Sequence, residues 1–164
     1  ERGRDTVYRC FEDPALGWVA PVGRLDKASE GLLLFTSDSA WAAKITDPVE
    51  GLLKTYHVQV DVLPDEGLLP ALQAGVEDGG EWLKAASARL LRHGERTAWL
   101  EIVLDEGRNR QIRRLLAACG VEVLRLVRVA IGPLALGDLG KGQWRMLAAA
   151  EIASLAVPSV PQPD

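Results

Sequence analysis

The sequence predicts an α+β or α/β domain in which helices pack against a β-sheet. Two hydrophobic periods alternate along the chain. Tyr56 to Val62 alternates apolar with polar residues, as a half-buried strand does, whereas 109–120 gathers its apolar residues on one helical face. A chain of 164 residues, 48% hydrophobic and 26% charged, suits one soluble globular domain. We therefore assign 1–157 to a single domain and 158–164 to a disordered, proline-rich tail.

The elements follow from local patterns. Four apolar residues, Leu32 to Phe35, suit a strand buried on both faces. Ser37 or Asp38 suits the N-cap of the helix that follows, and Pro70 is compatible with the first turn of the next helix. The predicted strands are 32–35, 56–62, 84–91, 97–105, 121–131 and 143–147. The predicted helices are 38–47, 65–76 (ended by Gly79-Gly80), 109–120 (capped by Asn109 and stopped by Gly120) and 148–156.

Composition limits the class of function. The net charge is −4, but residues 108–128 carry six arginines against Glu122 alone, a local charge of 6 − 1 = +5. A stripe of this kind suits phosphate contacts, and a solvated helix face is the alternative. No apolar run approaches the ~20 residues of a membrane span. Cys10 and Cys119 lack metal-ligand spacing, so we expect no metal site, reduced thiols and a cytoplasmic protein.

The most informative loop is 23–31, which has a glycine at each end and immediately precedes Leu32. Glycine permits backbone angles and close approaches that a side chain would block. Asp26 is therefore a carboxylate on a loop fixed by a core strand, where catalytic groups often lie. From the residues alone, a turn aspartate paired with Arg24 or Lys27 is the favoured interpretation.

Four ordered motifs carry a resemblance that changes this interpretation. They are Gly23-Arg24-Leu25-Asp26-Lys27 through Leu34, Lys54-Thr55-Tyr56-His57-Val58, Glu106-Gly107-Arg108-Asn109-Arg110-Gln111-Ile112-Arg113-Arg114, and Leu124-Arg125-Leu126-Val127-Arg128-Val129 through Leu134. Together the motifs resemble the RNA pseudouridine synthases. More narrowly they resemble the branch of the small-subunit synthase A, which also contains the large-subunit synthases B, E and F.

The resemblance implies the pseudouridine synthase fold, a long, mixed, largely antiparallel sheet with flanking helices and a central cleft. The family usually begins with an earlier strand and a Lys-Pro turn, which we do not find in 1–21. We also find no basic RNA-binding module ahead of the core, as in the short large-subunit synthase E form. The implied activity is isomerisation of a specific uridine of large-subunit ribosomal RNA to pseudouridine, by a monomer that needs no cofactor.

The resemblance also assigns the site. Asp26 corresponds to the catalytic carboxylate, Tyr56 to the tyrosine that stacks on the base, and Arg113 to the partner of the carboxylate. The helical period independently places Arg113 at the edge of the apolar face, where its guanidinium can reach a cleft. Leu126 corresponds to the apolar residue under the uracil. Arginines that could hold the flipped-out nucleotide are Arg24, Arg108, Arg110, Arg114, Arg125 and Arg128.

Alternatives remain at this point. The chain could be an RNA-binding protein that keeps the fold without catalysis, although Asp26, Tyr56 and Arg113 argue against it. The substrate could be small-subunit ribosomal RNA or transfer RNA. A carboxylate glycoside hydrolase would need a second carboxylate about 5–10 Å from the first, and no obvious one accompanies Asp26. Tyr56 and Leu126 also suit plain core positions.

Overall fold

The computed structural model describes residues 18–46, 52–108 and 110–155. The proposed N-cap Asn109, the tail 158–164, the start of the chain and the end of the first helix at Asp47-Pro48 lie outside these ranges. The strands are β1 Ala20–Val22, β2 Glu30–Gly31, β3 Leu34–Thr36, β4 Lys54–Val60, β5 Val76–Asp78, β6 Glu81–Leu83, β7 Ser87–His93, β8 Ala98–Leu104, β9 Val123–Ile131 and β10 Leu134–Ala135. The helices are α1 Ser39–Thr46, α2 Leu68–Ala74, α3 Gln111–Ala118 and α4 Ala149–Ser154.

The main sheet has the order β10-β9-β4-β8-β7, with antiparallel neighbours throughout. The short β2 adds to β9 in parallel, which makes the sheet mixed. β1 with β3, and β5 with β6, form two separate antiparallel pairs. This arrangement confirms the α+β class and the largely antiparallel sheet. None of the described helices is long and apolar enough to cross a bilayer.

The core follows the predicted periods. Val58 and Val60 of β4 and the alternate residues of β8, from Ala98 to Leu104, are buried. α3 covers this face with Ile112, Leu115 and Leu116, as its helical period predicts. A second apolar cluster gathers Val22, Leu34, Ile45 and Leu52 with Ile131, Leu134 and Leu155. The sheet therefore holds α3 on one face, and the second cluster holds the short β1–β3 pair.

Several helix boundaries agree with the cap signals. The Asp38 carboxylate accepts hydrogen bonds from the backbone N–H groups of Ala40 and Trp41 at 3.0 and 3.1 Å, so Asp38 is the N-cap of α1. Pro70 is the third residue of α2, within its first turn as required. Gly120 follows α3 with φ +76° and ends it, as predicted.

The predicted strand over Leu32–Phe35 is wrong as a single element. β2 ends at Gly31, the N–H of Leu32 bonds to the Arg128 carbonyl at 2.8 Å, and the chain then turns so that β3 pairs with β1. The apolar run is divided between two sheets, and Leu33 is only half-buried. Such a run shows that its residues are buried but not which strand they pair with, since Leu32 and Leu34 lie in the same apolar cluster although they bond to different sheets.

Three further predictions differ from the structure. No strand forms over 143–147, because Gln143 closes a turn by accepting the N–H of Gly140 on its side chain and donating its own N–H to the Gly140 carbonyl. Gly79-Gly80 does not end a helix. Both have positive φ (+59° and +83°) and form the two-residue loop of the β5–β6 hairpin, which the prediction missed. The strand predicted over 84–91 begins only at Ser87.

Gly31 fixes how closely the Asp26 loop approaches the sheet. Its φ is +114°, and a Cβ at this position would overlap the backbone nitrogen and carbonyl of Arg128. Backbone cannot move aside as a flexible side chain can. The parallel β2–β9 contact therefore requires glycine at this position.

We expect Gly31→Ala to lower the free energy of unfolding by more than a positive φ alone would. The matched control is Gly137→Ala, which also has a positive φ (+59°) but no heavy atom within 4 Å of the added Cβ. Gly31→Ala should lower the free energy of unfolding by about 1–3 kcal/mol more than the control. Denaturant unfolding of both variants measures the difference, and equal values would show that the close approach is not required.

Candidate active site

The loop that carries Asp26 is a tight turn fixed to the sheet. The N–H of Ser29 bonds to the Asp26 carbonyl at 2.7 Å, which closes the turn 26–29. After the turn, β2 pairs with β9, so the carboxylate lies a few residues before a strand of the main sheet. This is the predicted arrangement of a functional group on a rigid support.

The Arg128 side chain, on β9, bonds to the backbone of the same loop. It is 4% exposed, and its Nε donates to the Leu32 carbonyl at 2.8 Å and its Nη1 to the Arg24 carbonyl at 3.4 Å. Its Nη2 has no hydrogen-bond partner within the described ranges. A register shift between Thr55 and Tyr56 brings Arg128 opposite Tyr56. Arg128, predicted to contact phosphate, thus lies in the interior and fastens both ends of the loop.

Two arginines of the α3 N-terminus converge on one oxygen of Asp26. Arg110 Nη1 donates to Asp26 Oδ2 at 2.9 Å, and Arg113 Nε lies 3.3 Å from the same oxygen. The Arg113 contact is an ion pair without hydrogen-bond geometry, and its Nη2 donates instead to the Ala28 carbonyl at 2.9 Å. The predicted proximity of Asp26 and Arg113 is confirmed. The contact with Arg110 was not predicted, since that residue was assigned to phosphate alone.

The two arginines differ in surroundings. The Arg113 side chain is 16% exposed, whereas that of Arg110 is 49% exposed. Arg110 also has φ 52° and ψ 34°, and it is the only non-glycine residue of the described ranges with a positive φ. The left-handed region costs an ordinary side chain roughly 1–2 kcal/mol. Such strain is concentrated at functional sites.

A buried glutamine fixes the loop that leads into α3. Gln111 is 3% exposed, and its amide oxygen accepts the N–H of Arg108 at 3.0 Å. Its amide nitrogen donates to the Lys84 carbonyl and to the Glu106 carboxylate, each at 3.1 Å. The Gln111 side chain is therefore fully used in setting the path of the segment from which Arg110 and Arg113 reach Asp26.

β4 and β9 carry two further residues predicted for the site. Tyr56 is half-buried against the main core, and Leu126, opposite Val58, is 6% exposed. Lys54, two residues before Tyr56, points to the same side of β4. Burial, with a smaller contribution from the nearby Arg128 charge, lowers the pKa of the Lys54 amine. Lys54 was not predicted as a site residue, although it is the first residue of the Lys54-Thr55-Tyr56 motif.

Arg108, just before α3, and Arg114, within α3, are both paired with carboxylates of the β5–β6 hairpin. Glu81 of the β5–β6 hairpin pairs with both, and Asp78 pairs with Arg114 at 2.6 Å. Hydrogen bonds from the two guanidinium groups, that of Arg108 first, lower the pKa of Glu81. The same contacts raise the pKa values of Arg108, chiefly through Glu81, and of Arg114, chiefly through Asp78. The structure does not bring this pair to Asp26.

Arg24 and Arg125 occupy two other positions. Arg24 is exposed beside Asp26 on the loop. Arg125 makes a bidentate pair with Glu30 at 2.8 and 3.0 Å, and its guanidinium lies 5.8 Å from the ring centre of Trp99. Every arginine of the +5 segment is therefore engaged within the protein. No group of three metal-binding side chains gathers within the described ranges.

Comparison with known proteins decides the family. The sequence pattern of the family described as RNA pseudouridylate synthase matches residues 15–118, which include Asp26, Tyr56 and Arg113. The chain belongs to this family.

Similar proteins extend this synthase assignment. The chain is 44% identical to the ribosomal large subunit pseudouridine synthase E of Xanthomonas campestris over 143 residues, 78% of this chain and 76% of the relative. It is 43% identical to the synthase of the same name from Vibrio parahaemolyticus, over 77% of this chain but 59% of the relative. A solved pseudouridylate synthase superposes with a TM-score of 0.80 and 33% identity, over 92% of this chain and 65% of that one. The predicted synthase fold is confirmed.

The acidic partners of Arg108 and Arg114 give a prediction about RNA affinity. Glu81→Gln removes the carboxylate that both guanidinium groups share, so more of their charge becomes available to phosphate. We expect RNA to bind a few-fold more tightly in low salt, with the difference fading as salt rises. Filter binding across a salt series measures it.

The control is Glu95→Gln, which removes one charge from the exposed turn between β7 and β8. It should change the affinity less, because it frees neither arginine. If Glu95→Gln and Glu81→Gln tighten binding equally, the effect is one of net charge, and Arg108 and Arg114 do not contact the RNA.

Proposed function

We propose that this member of the RNA pseudouridylate synthase family isomerises a specific uridine of large-subunit ribosomal RNA to pseudouridine. The observation that carries the proposal is the Asp26 carboxylate on a braced turn, paired with arginines of α3. The relatives named as large-subunit synthases support the choice of RNA. Since the chain spans less than two thirds of some relatives, substrate and partners belong to the proposal.

The reaction breaks the bond from ribose C1′ to uracil N1 and joins the sugar to C5 of the same base. In our proposal Asp26 acts at this junction, either by adding to the sugar or by removing a proton. It must stay ionised while a base covers it, which costs desolvation. Arg113, mostly buried and held by the Ala28 carbonyl, offsets this cost from a fixed position.

Tyr56 and Leu126 are proposed to hold the flipped-out uracil. Tyr56 offers an aromatic face, and stacking on such a face contributes roughly 1–3 kcal/mol per base. Leu126 lies two residues from Arg128 on β9, beneath the same region. Arg24, exposed on the same loop, and Arg110, which contacts Asp26, are proposed to contact phosphate. Arg108 and Arg114 can do so once they separate from Glu81.

The remaining parts of the proposal concern the setting. The isomerisation involves no redox change and no net hydrolysis, so we propose that it needs no cofactor. We also propose that the protein acts as a monomer in the cytoplasm, on RNA that is being assembled into ribosomes. Pseudouridine mapping of total RNA, with and without the gene, tests the substrate. A uridine lost from small-subunit or transfer RNA instead would overturn the proposed target.

We expect Asp26→Asn to reduce pseudouridine formation by roughly 10³-fold or more, because the charge is lost at nearly constant shape. The fold should be retained, since the turn is held by the Ser29 N–H, which bonds to the Asp26 carbonyl, and by the Arg128 side chain, which bonds to the Leu32 carbonyl. Product analysis after single-turnover reactions measures the loss. Lys27→Gln, one residue along and exposed, is the control for damage to the loop. Substantial activity in Asp26→Asn would show that Asp26 is not the catalytic carboxylate.

Accessibility of the RNA gives another prediction. The arginines of the site are engaged with carboxylates or carbonyls, so the protein has little binding energy with which to open an RNA helix. We expect it to modify protein-free or partly assembled large-subunit RNA well, and finished subunits poorly. Pseudouridine formation on the three substrates in parallel measures this. Equal or better activity on finished subunits would contradict the argument.

A further inference from the structure

The Arg110 guanidinium can bind either of two anions, the Asp26 carboxylate or a phosphate of the RNA. The structure contains the first of these contacts. In the free protein the guanidinium donates to Asp26 Oδ2, the oxygen that Arg113 also approaches. Arg113 is mostly buried and bonds to the Ala28 carbonyl, so it can remain paired with Asp26 when Arg110 leaves. Arg110 is half-exposed, and within the described ranges Asp26 is the only partner of its side chain. Of the two cations, Arg110 is the one able to leave.

The backbone conformation of Arg110 supports the same conclusion. Its left-handed conformation places a strained residue directly before α3, where the helix and the Gln111 side chain fix the following residues. Because Gln111 is anchored by its own side-chain hydrogen bonds, we place the exchange of partners in the Arg110 side chain. The guanidinium can exchange partners without disturbing Arg113, which lies one helical turn further on.

We propose that Arg110 is a switching residue that covers Asp26 in the free enzyme and transfers to a phosphate of the RNA when the substrate enters. The transfer uncovers one side of the carboxylate and leaves Arg113 as its remaining cation. RNA binding and exposure of Asp26 are thereby coupled through one side chain. This inference rests on the proposed function, because it needs RNA as the substrate and Asp26 as the reacting group.

The coupling has a thermodynamic consequence. In the free protein, Asp26 and the RNA phosphate compete for Arg110, so the carboxylate weakens RNA binding. Removing the charge of Asp26 should release Arg110 and tighten binding. Simple repulsion between Asp26 and RNA would also tighten binding, but it would do so whether or not Arg110 is present. The dependence on Arg110 separates the two causes.

The experiment measures binding of the large-subunit RNA fragment around the modified uridine, synthesised with pseudouridine already in place so that no reaction occurs. The proteins are wild type, Asp26→Asn, Arg110→Gln and the double variant, each across a salt series. We expect Asp26→Asn to bind several-fold more tightly than wild type, and this gain to vanish in the Arg110→Gln background. Arg110→Gln should also reduce the slope of log affinity against log salt by about 0.7, the value for one phosphate.

Controls keep each outcome decisive. Arg89→Gln removes an exposed arginine that is likewise paired with a carboxylate, Glu101, and it should leave both the slope and the Asp26→Asn gain unchanged. Arg110→Asn, which tolerates a positive φ better than Gln, repeats the test if Arg110→Gln folds poorly. A gain that persists without Arg110, no gain at all, or an unchanged slope would each overturn the switch. Wild-type protein that forms no pseudouridine would refute the proposed function instead.

Discussion

The site depends on the hydrogen bonds that the buried Arg128 guanidinium donates to the Asp26 loop. The guanidinium joins β9, the longest strand, to both ends of the Asp26 loop through the carbonyls of Arg24 and Leu32. A buried charge is costly unless polar groups compensate it. Here two backbone carbonyls accept from Nε and Nη1, whereas Nη2 has no hydrogen-bond partner within the described ranges. Gly31 makes the arrangement possible by letting the loop touch the Arg128 backbone. The carboxylate therefore depends on contacts made several residues away from it.

A second constraint acts from the opposite side. α3 is anchored by its apolar face and by Gln111, and its first turn delivers Arg110 and Arg113 to Asp26. Loop and helix come from distant parts of the chain, and neither carries the site alone. Because Arg113 also bonds the Ala28 carbonyl, the helix helps to hold the turn as well as the charge. Electrostatics and backbone support are thus supplied by the same side chain.

The sequence was sufficient for the features with a strong local signal. The alternation in β4 and β8, the apolar face of α3 and the Asp38 cap were all predictable, because each depends on residues close in the chain. The division of Leu32–Phe35 between two sheets was not, since an apolar run shows only burial. The motifs identified Asp26 and Arg113. They could not show that Arg128 is interior or that Arg110 reaches Asp26, because both facts depend on the register and on one unusual backbone angle.

The distribution of charge, more than the net charge, determines how this protein can bind RNA. The +5 segment suggested a row of cations open to phosphate, yet each arginine is held by a carboxylate or a carbonyl. A phosphate contact made by any of these six arginines must therefore replace an internal one, and only the difference contributes to affinity. Such exchange keeps non-specific binding weak. In the proposed switch, an RNA contact of Arg110 would also change the surroundings of Asp26, so that affinity and the state of this carboxylate would be linked.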